Sequence, residues 1–400
     1  MSIIVQKYGG SSVADPEKIK KIAQLISNVK KEGHDVAVVV SAMGKTTDSL
    51  IELAKQVSSG PPKREMDMLL STGERITMSL LCMALNNLGI DSVSLTGSQA
   101  GIITNDRHND ARVIEIRPFR VLDELEKGKV VVVGGFQGVS YRRDITTLGR
   151  GGSDTTAVAL AAGLNAERCE IYSDVDGVYS ADPSIIKDAK HLPEISYEQM
   201  QEMSEAGAKV LNAQAVQFAK EAQIAIYARS TFQQGRETIV RKFPSGLSKG
   251  VKAVVYENDI SKIEYFNNDD EKSISLLRFL EQRQIPIKEF NYSKVENGNK
   301  ISFLVSEKNI YNVEKIESEL TAEFGNCLKI EHGFGTVSLI GDGINKDNTI
   351  LLETLSILQK EKVKIHGVAT TSFRISFLLE KALVKNTVLL YHNRWIEEKV

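Results

Sequence analysis

Four short apolar runs, 3–7 (IIVQK), 36–40 (VAVVV), 130–133 (VVVV) and 171–172 (IY), are mostly β-branched, and the first three lead into glycine- or serine-rich segments. Such runs predict strands buried on both faces. Between the first two the period becomes helical: Ile19, Ile22, Ala23, Ile26 and Val29 share one face, with Asp15 as N-cap and Pro16 at the first helical position. Strand and helix alternate, which predicts an α/β domain with a mainly parallel sheet and ligands at the carboxyl ends of its strands.

Beyond about residue 251 the pattern changes. Lys, Asn and Ile become frequent, and only 7 of the 29 glycines fall in the last 150 residues. A boundary is predicted in KFPSGLSKG at 242–250. Ile301-Ser302-Phe303-Leu304 recurs as Ile375-Ser376-Phe377-Leu378, each copy preceded by a helix-like stretch, at 271–283 and 348–361. The echo fits two βαββαβ units of similar size, and it fits chance similarity of two amphipathic strands.

Composition narrows the classes. With 50 Lys+Arg against 52 Asp+Glu the formal charge is −2, so no global field draws the chain to nucleic acid or to an anionic membrane. Cys82, Cys169 and Cys327 lie far apart without a CxxC, and the six histidines lack metal-ligand spacing. That argues against a disulfide framework and a protein-held metal, and for a reducing, cytoplasmic setting. No export signal or membrane-spanning apolar window is read in the sequence.

The chemistry concentrates in glycine-rich turns. The first strand runs into Lys7-Tyr8-Gly9-Gly10-Ser11-Ser12 and then the Asp15 helix. Glycines expose backbone N–H groups, the helix start adds partial positive charge and Lys7 can neutralise phosphate oxygens, so the segment fits a phosphate cradle or a plain strand-to-helix turn. A second segment, Thr147-Leu148-Gly149-Arg150-Gly151-Gly152-Ser153-Asp154-Thr155-Thr156, precedes a helix expected over 157–164, with Ser153-Asp154-Thr155 as its cap. Arg150 offers a fork for a carboxylate or phosphate. Gly44-Lys45-Thr46 lacks the first glycine of a phosphate loop, and no GxGxxG follows the first strand. Ser41, Thr47 and Glu74 fall at expected strand ends, and 172–183 (YSDVDGVYSADP) reads as a strand end with a rigid loop of rings and carboxylates suited to a base and ribose.

Together KYGGSS, VVVSAMG, the Glu74 segment, GFQGV, TTLGRGGSDTTA and SDVDGVYSADP closely resemble, in order and spacing over residues 1 to about 240, the aspartate kinases of the amino acid kinase family. The last 150 residues look like that family's paired ACT regulatory domains. The resemblance implies a three-layer αβα amino acid kinase fold with a mainly parallel sheet over 1–245, followed by ACT-like domains at 251–335 and 336–400. It implies transfer of the ATP γ-phosphoryl group to the side-chain carboxylate of L-aspartate, with Mg²⁺. Lys7 and Asp154 would be catalytic, and Ser41, Thr47, Glu74, Arg150 and Ser153 would bind aspartate. Lys7, Gly9, Gly10, Ser11, Tyr172, Ser173, Asp174, Tyr179, Asp182 and Lys209 would bind the nucleotide. A homodimer or higher oligomer and a lysine or threonine effector at the ACT-like domains are also implied.

Two departures stand out. After Val210-Leu211 the chain reads Asn212-Ala213-Gln214 where relatives commonly carry another triplet. The loops 267–271 (NNDDE) and 342–347 (DGINKD) lack the Pro-Gly pair usual at the family's effector sites. The alternatives are another amino acid kinase, or a non-catalytic ACT-based sensor.

Overall fold

The computed structural model describes residues 2–149, 151–233, 235–245, 249–296, 298–310 and 313–398, and they form two compact units. The first contains, in chain order, β1 (Ile3–Tyr8), α1 (Pro16–Lys31), β2 (Asp35–Val40), α2 (Thr46–Val57), α3 (Lys63–Leu70), α4 (Thr72–Asn87), β3 (Ser92–Leu95), β4 (Ile102–Thr104), β5 (Val113–Ile116), α5 (Phe119–Glu126), β6 (Val130–Gly134), β7 (Gln137–Ser140) and β8 (Ile145–Thr147). It continues through α6 (Gly152–Gly163), β9 (Arg168–Ser173), β10 (Val178–Tyr179), β11 (His191–Leu192), β12 (Glu194–Ile195), α7 (Tyr197–Glu205), α8 (Ala213–Ala222), β13 (Ile226–Ser230) and β14 (Glu237–Val240).

Its main sheet has the order β12-β14-β13-β9-β1-β2-β6-β3, parallel except for β13 against β14. The four expected apolar runs are four adjacent strands of this sheet, β9, β1, β2 and β6. Strand alternation sorts their side chains: Tyr8, Val36, Val38, Val40, Val130 and Val132 pack with Ile19, Ile22 and Ile26 of α1 and Leu81 and Leu85 of α4. Lys7 is in register with Val39, on the opposite face, where α6 lies. Helices on both faces of a parallel sheet give the expected three layers. Asp15 caps α1 by accepting from the Lys18 N–H at 2.9 Å, and Pro16 opens the helix. The second glycine segment differs from expectation. Gly151, left-handed at φ 72°, is the N-cap of α6, so Ser153, Asp154 and Thr155 lie inside its first turn.

By length and composition Lys63–Asn87 resembles a membrane span. It is instead the helix pair α3 and α4, broken at Ser71, with Asp67 and Glu74 buried in this unit.

The second unit contains β15 (Gly250–Asn267), α9 (Asp270–Gln282), β16 (Lys288–Val295), β17 (Gly298–Ser306), α10 (Val313–Phe324), β18 (Leu328–Asp342), α11 (Thr349–Lys360), β19 (Gly367–Thr370), β20 (Arg374–Glu380) and α12 (Lys381–His392), in a sheet ordered β16-β17-β15-β18-β20-β19. Irregular register near Asn258–Lys262 divides it into two halves with separate cores. The first half reads βαββαβ. In the second the missing strand is the beginning of β15, paired with Ser338–Asp342 of β18. The echoed tetrapeptides lie on β17 and β20, with Phe303 and Phe377 as matching core residues. β18 therefore runs unbroken across the position 335/336 chosen from the sequence as a boundary. Residues 180–190 and 206–208, inside the expected first domain, also fold with the second unit: Ala181 and Ile186 enter its core beside Val254 and Phe377, and the Ser180 hydroxyl lies 2.9 Å from His392 Nε2.

Candidate active site

Parallel strands leave their last backbone groups and the following turns on one sheet edge. Here the ends of β1, β2 and β6 bring six of the expected residues, Lys7, Gly9, Gly10, Glu74, Ser153 and Asp154, into a closed ring of contacts. Lys7 Nζ lies 2.7 Å from Asp154 Oδ1 of α6, both side chains nearly buried. Gly9 sits over that ammonium: a side chain there would begin 3.5 Å from Lys7 Nζ. A Cβ on Gly10 would meet the Ala42 carbonyl at 3.0 Å, and Ala42 donates its N–H to Glu74 Oε1 at 3.1 Å. Gly134 faces Glu74, Gly135 faces Ser153, and Ser153 adjoins Asp154. The glycines at 9, 10, 134 and 135 are what allow backbone to approach so closely.

Within the ring Glu74 is the distinctive group. It is 3% exposed, and among the described residues its Oε2 has no hydrogen-bond partner. Burial pushes its carboxyl up to about 7, against the smaller opposing effect of N–H donors from its own backbone and Ala42. A buried carboxylate with one satisfied and one free oxygen is built to receive a cation.

Ser41 follows β2 and is half-buried. Thr47 occupies the first turn of α2, next to Thr46, whose methyl lies 3.6 Å from a Cβ on Gly73. Ser11 is exposed, its carbonyl accepting from Lys18 Nζ at 2.9 Å. Arg150 lies outside the described residues. Its neighbours Gly149 and Gly151 are both left-handed, at φ 72°.

The nucleotide set is more dispersed. Ser173 ends β9 and exposed Asp174 follows it, beside Gly9, whose N–H donates to the Tyr172 carbonyl at 3.2 Å. The Tyr172 ring itself is on the sheet face away from Lys7, stacked on Tyr8 at 4.9 Å and 10°, with its hydroxyl donating to buried Glu170. Glu170 also receives Gln6, Arg168 and Arg229, and these donors outweigh burial and hold its carboxyl below the ordinary range. Tyr172 is thus a core ring, a consequence of strand alternation that motif matching does not register. Tyr179 donates to Asp176 at 2.7 Å and meets His191 edge-on. Lys209 is exposed. Asp182 belongs to the second unit, accepting from the Ser184 N–H at 2.8 Å and the Tyr256 hydroxyl at 3.2 Å.

Some supporting contacts escaped the sequence reading. Ser12 and Thr231 join hydroxyls at 2.6 Å, and Thr231 donates to the Ser173 carbonyl, tying the first glycine turn to β13. Asn212 caps α8 by accepting from the Gln214 and Ala215 N–H groups, while its amide fills the space beside Gly151. The departure at 212–214 is therefore a packing feature of the second glycine turn. Long-range pairs of this kind leave no short-range pattern.

The profile of the amino acid kinase family matches residues 2–230. An aspartokinase of Mycolicibacterium smegmatis is 41% identical, covering 98% of this chain and 96% of the relative. The chain belongs to the amino acid kinase family, among the aspartokinases. Aspartokinase 2 of Bacillus subtilis is 40% identical over 96% of each chain. In fold, this aspartokinase-family chain is similar to E. coli aspartokinase III in complex with aspartate and ADP, with a TM-score of 0.85 at 22% identity, covering 98% of this chain and 99% of that one.

Proposed function

We propose that the strand-end ring transfers the γ-phosphoryl group of ATP to the side-chain carboxylate of L-aspartate, giving 4-phospho-L-aspartate and ADP. The observation that carries this reading is the pairing, in one ring, of a nearly buried cation at the glycine turn with a buried, half-satisfied carboxylate. Phosphoryl transfer depends on positioning and charge neutralisation more than on covalent help. Lys7 meets the transferred phosphoryl group, Asp154 orients Lys7, and the Gly9, Gly10 and Ser11 backbone lines the phosphates. Glu74 takes the α-ammonium, Arg150 the α-carboxylate, and Ser41, Thr47 and Ser153 the remaining polar edges. Ser173, Asp174, Tyr179 and Lys209 serve the nucleotide, with Tyr172 contributing through its backbone.

Mg²⁺ carried on phosphate oxygens needs only one or two protein carboxylates. Among the described residues no cluster of three acidic, His or Cys groups is placed to hold a metal alone. Asp154 in the first turn of α6 and Asp174 just past β9 fit the lesser role, and the ion would supply charge neutralisation. The second unit is a retuned regulatory domain, its response to an amino-acid effector such as lysine or threonine weakened, and it joins subunits into a homodimer or higher oligomer; its edge strand β16 exposes Phe290, Tyr292 and Val295. The three cysteines are free thiols, which suits the cytoplasm.

The test is hydroxylamine trapping of the acyl phosphate. The expected product forms with aspartate and not with glutamate or acetylglutamate; a product with either of those, or none with aspartate, would overturn the assignment. Arg150→Ala is expected to raise the KM for aspartate far more than that for ATP, whereas equal increases would remove Arg150 from the aspartate pocket.

A further inference from the structure

Asp67 on α3 is fully buried and receives three residues that are distant in sequence: the Thr147 hydroxyl at 2.5 Å, His108 Nδ1 at 2.6 Å and the Asn109 N–H at 3.0 Å. Burial raises its carboxyl above the ordinary range, and these same donors oppose that rise. Among the described residues none of the four hydrogen-bonds to a side chain of the strand-end ring. Their connections lead there from two sides.

On one side, α3 runs through buried Ser71 into α4, whose first turn carries Gly73 and Glu74; the Ser71 carbonyl accepts from Gln137 Nε2 at 3.0 Å. On the other, Thr147 ends β8 and opens the second glycine segment. Its carbonyl accepts from the Ala111 N–H at 2.9 Å, the Leu148 N–H donates to the Phe136 carbonyl at 2.9 Å, and a Cβ on left-handed Gly149 would meet Asp110 Oδ1 at 3.0 Å. Residues 108–111 are therefore clamped between Asp67 and 147–149. We propose that Asp67 is a positioning residue for aspartate binding: a buried strut, acting through Thr147 and His108, that fixes the spacing between Glu74 and the glycine segment reaching Ser153 and Asp154. This rests on the aspartate-kinase reading.

The geometry weights the consequence toward one substrate. Lys7, Gly9 and Gly10 hang from β1 and α1, to which Asp67 makes no hydrogen bond among the described residues, and Lys7 meets the positioned segment through Asp154; loosening the strut therefore shifts Glu74 and Ser153 against one another more than it shifts the phosphate cradle. A small displacement at a binding pair is felt strongly, because the charges it positions are desolvated.

Thr147→Val keeps the shape and removes the hydroxyl donor, and Thr147→Ser restores it. Wild-type enzyme trapped with hydroxylamine first establishes that aspartate is the substrate, so failure of the reaction and failure of the strut are distinguishable. Thr147→Val is expected to raise the aspartate KM roughly tenfold and leave the ATP KM within about twofold, the loss expected from one buried hydrogen bond. Thr147→Ser should return both toward wild type. Asp67→Asn, which turns an amide N–H toward the same donors, should act in the same direction, and with Thr147→Val in a double-mutant cycle the effects should fall short of additive. Equal shifts of both KM values, an unchanged aspartate KM in folded Thr147→Val, or no rescue by Ser would overturn the proposal. Should Asp67→Asn fail to fold, the Thr147 pair decides.

Discussion

The strand ends of the first unit and the two helix-entry loops of the second are built from similar polar residues with opposite outcomes. Among the described residues of the strand-end ring, Glu74 at the start of α4 is buried with one oxygen unpartnered, and Lys7 has a single carboxylate. In the loops the polar groups satisfy one another. Asp269 caps α9 through the Glu271 N–H, Asn267 bonds Ser273, and Asp270 accepts from Tyr292 at 2.8 Å and Asn299 at 2.9 Å. Asn345 donates to the Thr371 and Arg374 carbonyls, and Asp347 accepts from the Thr349 N–H. A buried carboxylate left half-satisfied is costly unless a ligand completes it, whereas the largely exposed loop groups are already paired with one another.

Removing the cation breaks the comparison most severely. Lys7→Met should lower acyl-phosphate formation by about a thousandfold, the scale of losing a preorganised charge in a dry site. Circular dichroism should show a folded protein, and a loss below about tenfold would mean that another group neutralises the phosphoryl oxygens.

Glu74→Gln sharpens the same point, because activity and stability should move in opposite directions. The folded carboxyl titrates near 7, above its ordinary 4.5, so the folded state holds a proton that the unfolded chain has released between these values. Stability contributed by that proton is complete below about pH 4.5, declines as pH rises through the window and is gone above 7; the ionised form at pH 8 costs about 3 kcal/mol. The glutamine variant should lack this decline and unfold at a higher temperature at pH 8. Its aspartate kcat/KM should drop by about a hundredfold, since an ammonium meets no counter-charge. In the wild type, aspartate binding near neutral pH should release a proton, read by calorimetry in buffers of different ionisation enthalpy. No proton release, together with an unchanged kcat/KM in Glu74→Gln, would remove Glu74 from the pocket.

How far the sequence disclosed this follows from the range of the interactions. The strands, α1 with its Asp15 cap and the two glycine turns are local patterns, and they were legible. So was the repeat on β17 and β20. Adjacency was less visible: Asp67 with Thr147 and Glu170 with Arg229 meet through tertiary packing alone. The side of the sheet on which Tyr172 falls follows from register, and the transfer of residues 180–190 to the second unit follows from two apolar side chains, Ala181 and Ile186. A motif reading treats Tyr172 and Asp182 as members of one nucleotide loop, whereas packing separates them.

A smaller effect tests the second glycine turn. A Cβ on Gly151 would lie 2.3 Å from Asn212 Nδ2, in a left-handed backbone that already disfavours side chains. Gly151→Ala should therefore destabilise by about 2 kcal/mol and raise the aspartate KM. Asn212→Ala should cost about 1 kcal/mol as a lost cap. Combined, the two changes should cost less than their sum, because the second opens the space the first needs. Strict additivity in thermal unfolding would show that backbone conformation alone, and not the Asn212 amide, demands glycine.

The smallest effect belongs to the loops of the second unit. An effector entering NNDDE or DGINKD must first displace internal hydrogen bonds, such as those holding Asp270 and Asn345, and its affinity falls by the cost of opening them. Lysine and threonine, singly or together at about 1 mM, should therefore alter the initial rate by less than about twofold in the wild type. Asp270→Ala frees the Tyr292 hydroxyl and leaves the Asn299 amide with its longer bond to Asn267 at 3.4 Å, and should make the rate more sensitive to one of these amino acids while leaving it unchanged in their absence. Strong wild-type inhibition would show that self-satisfied loops open readily, and the contrast between the two regions would then lie in their dynamics and not in their hydrogen bonding.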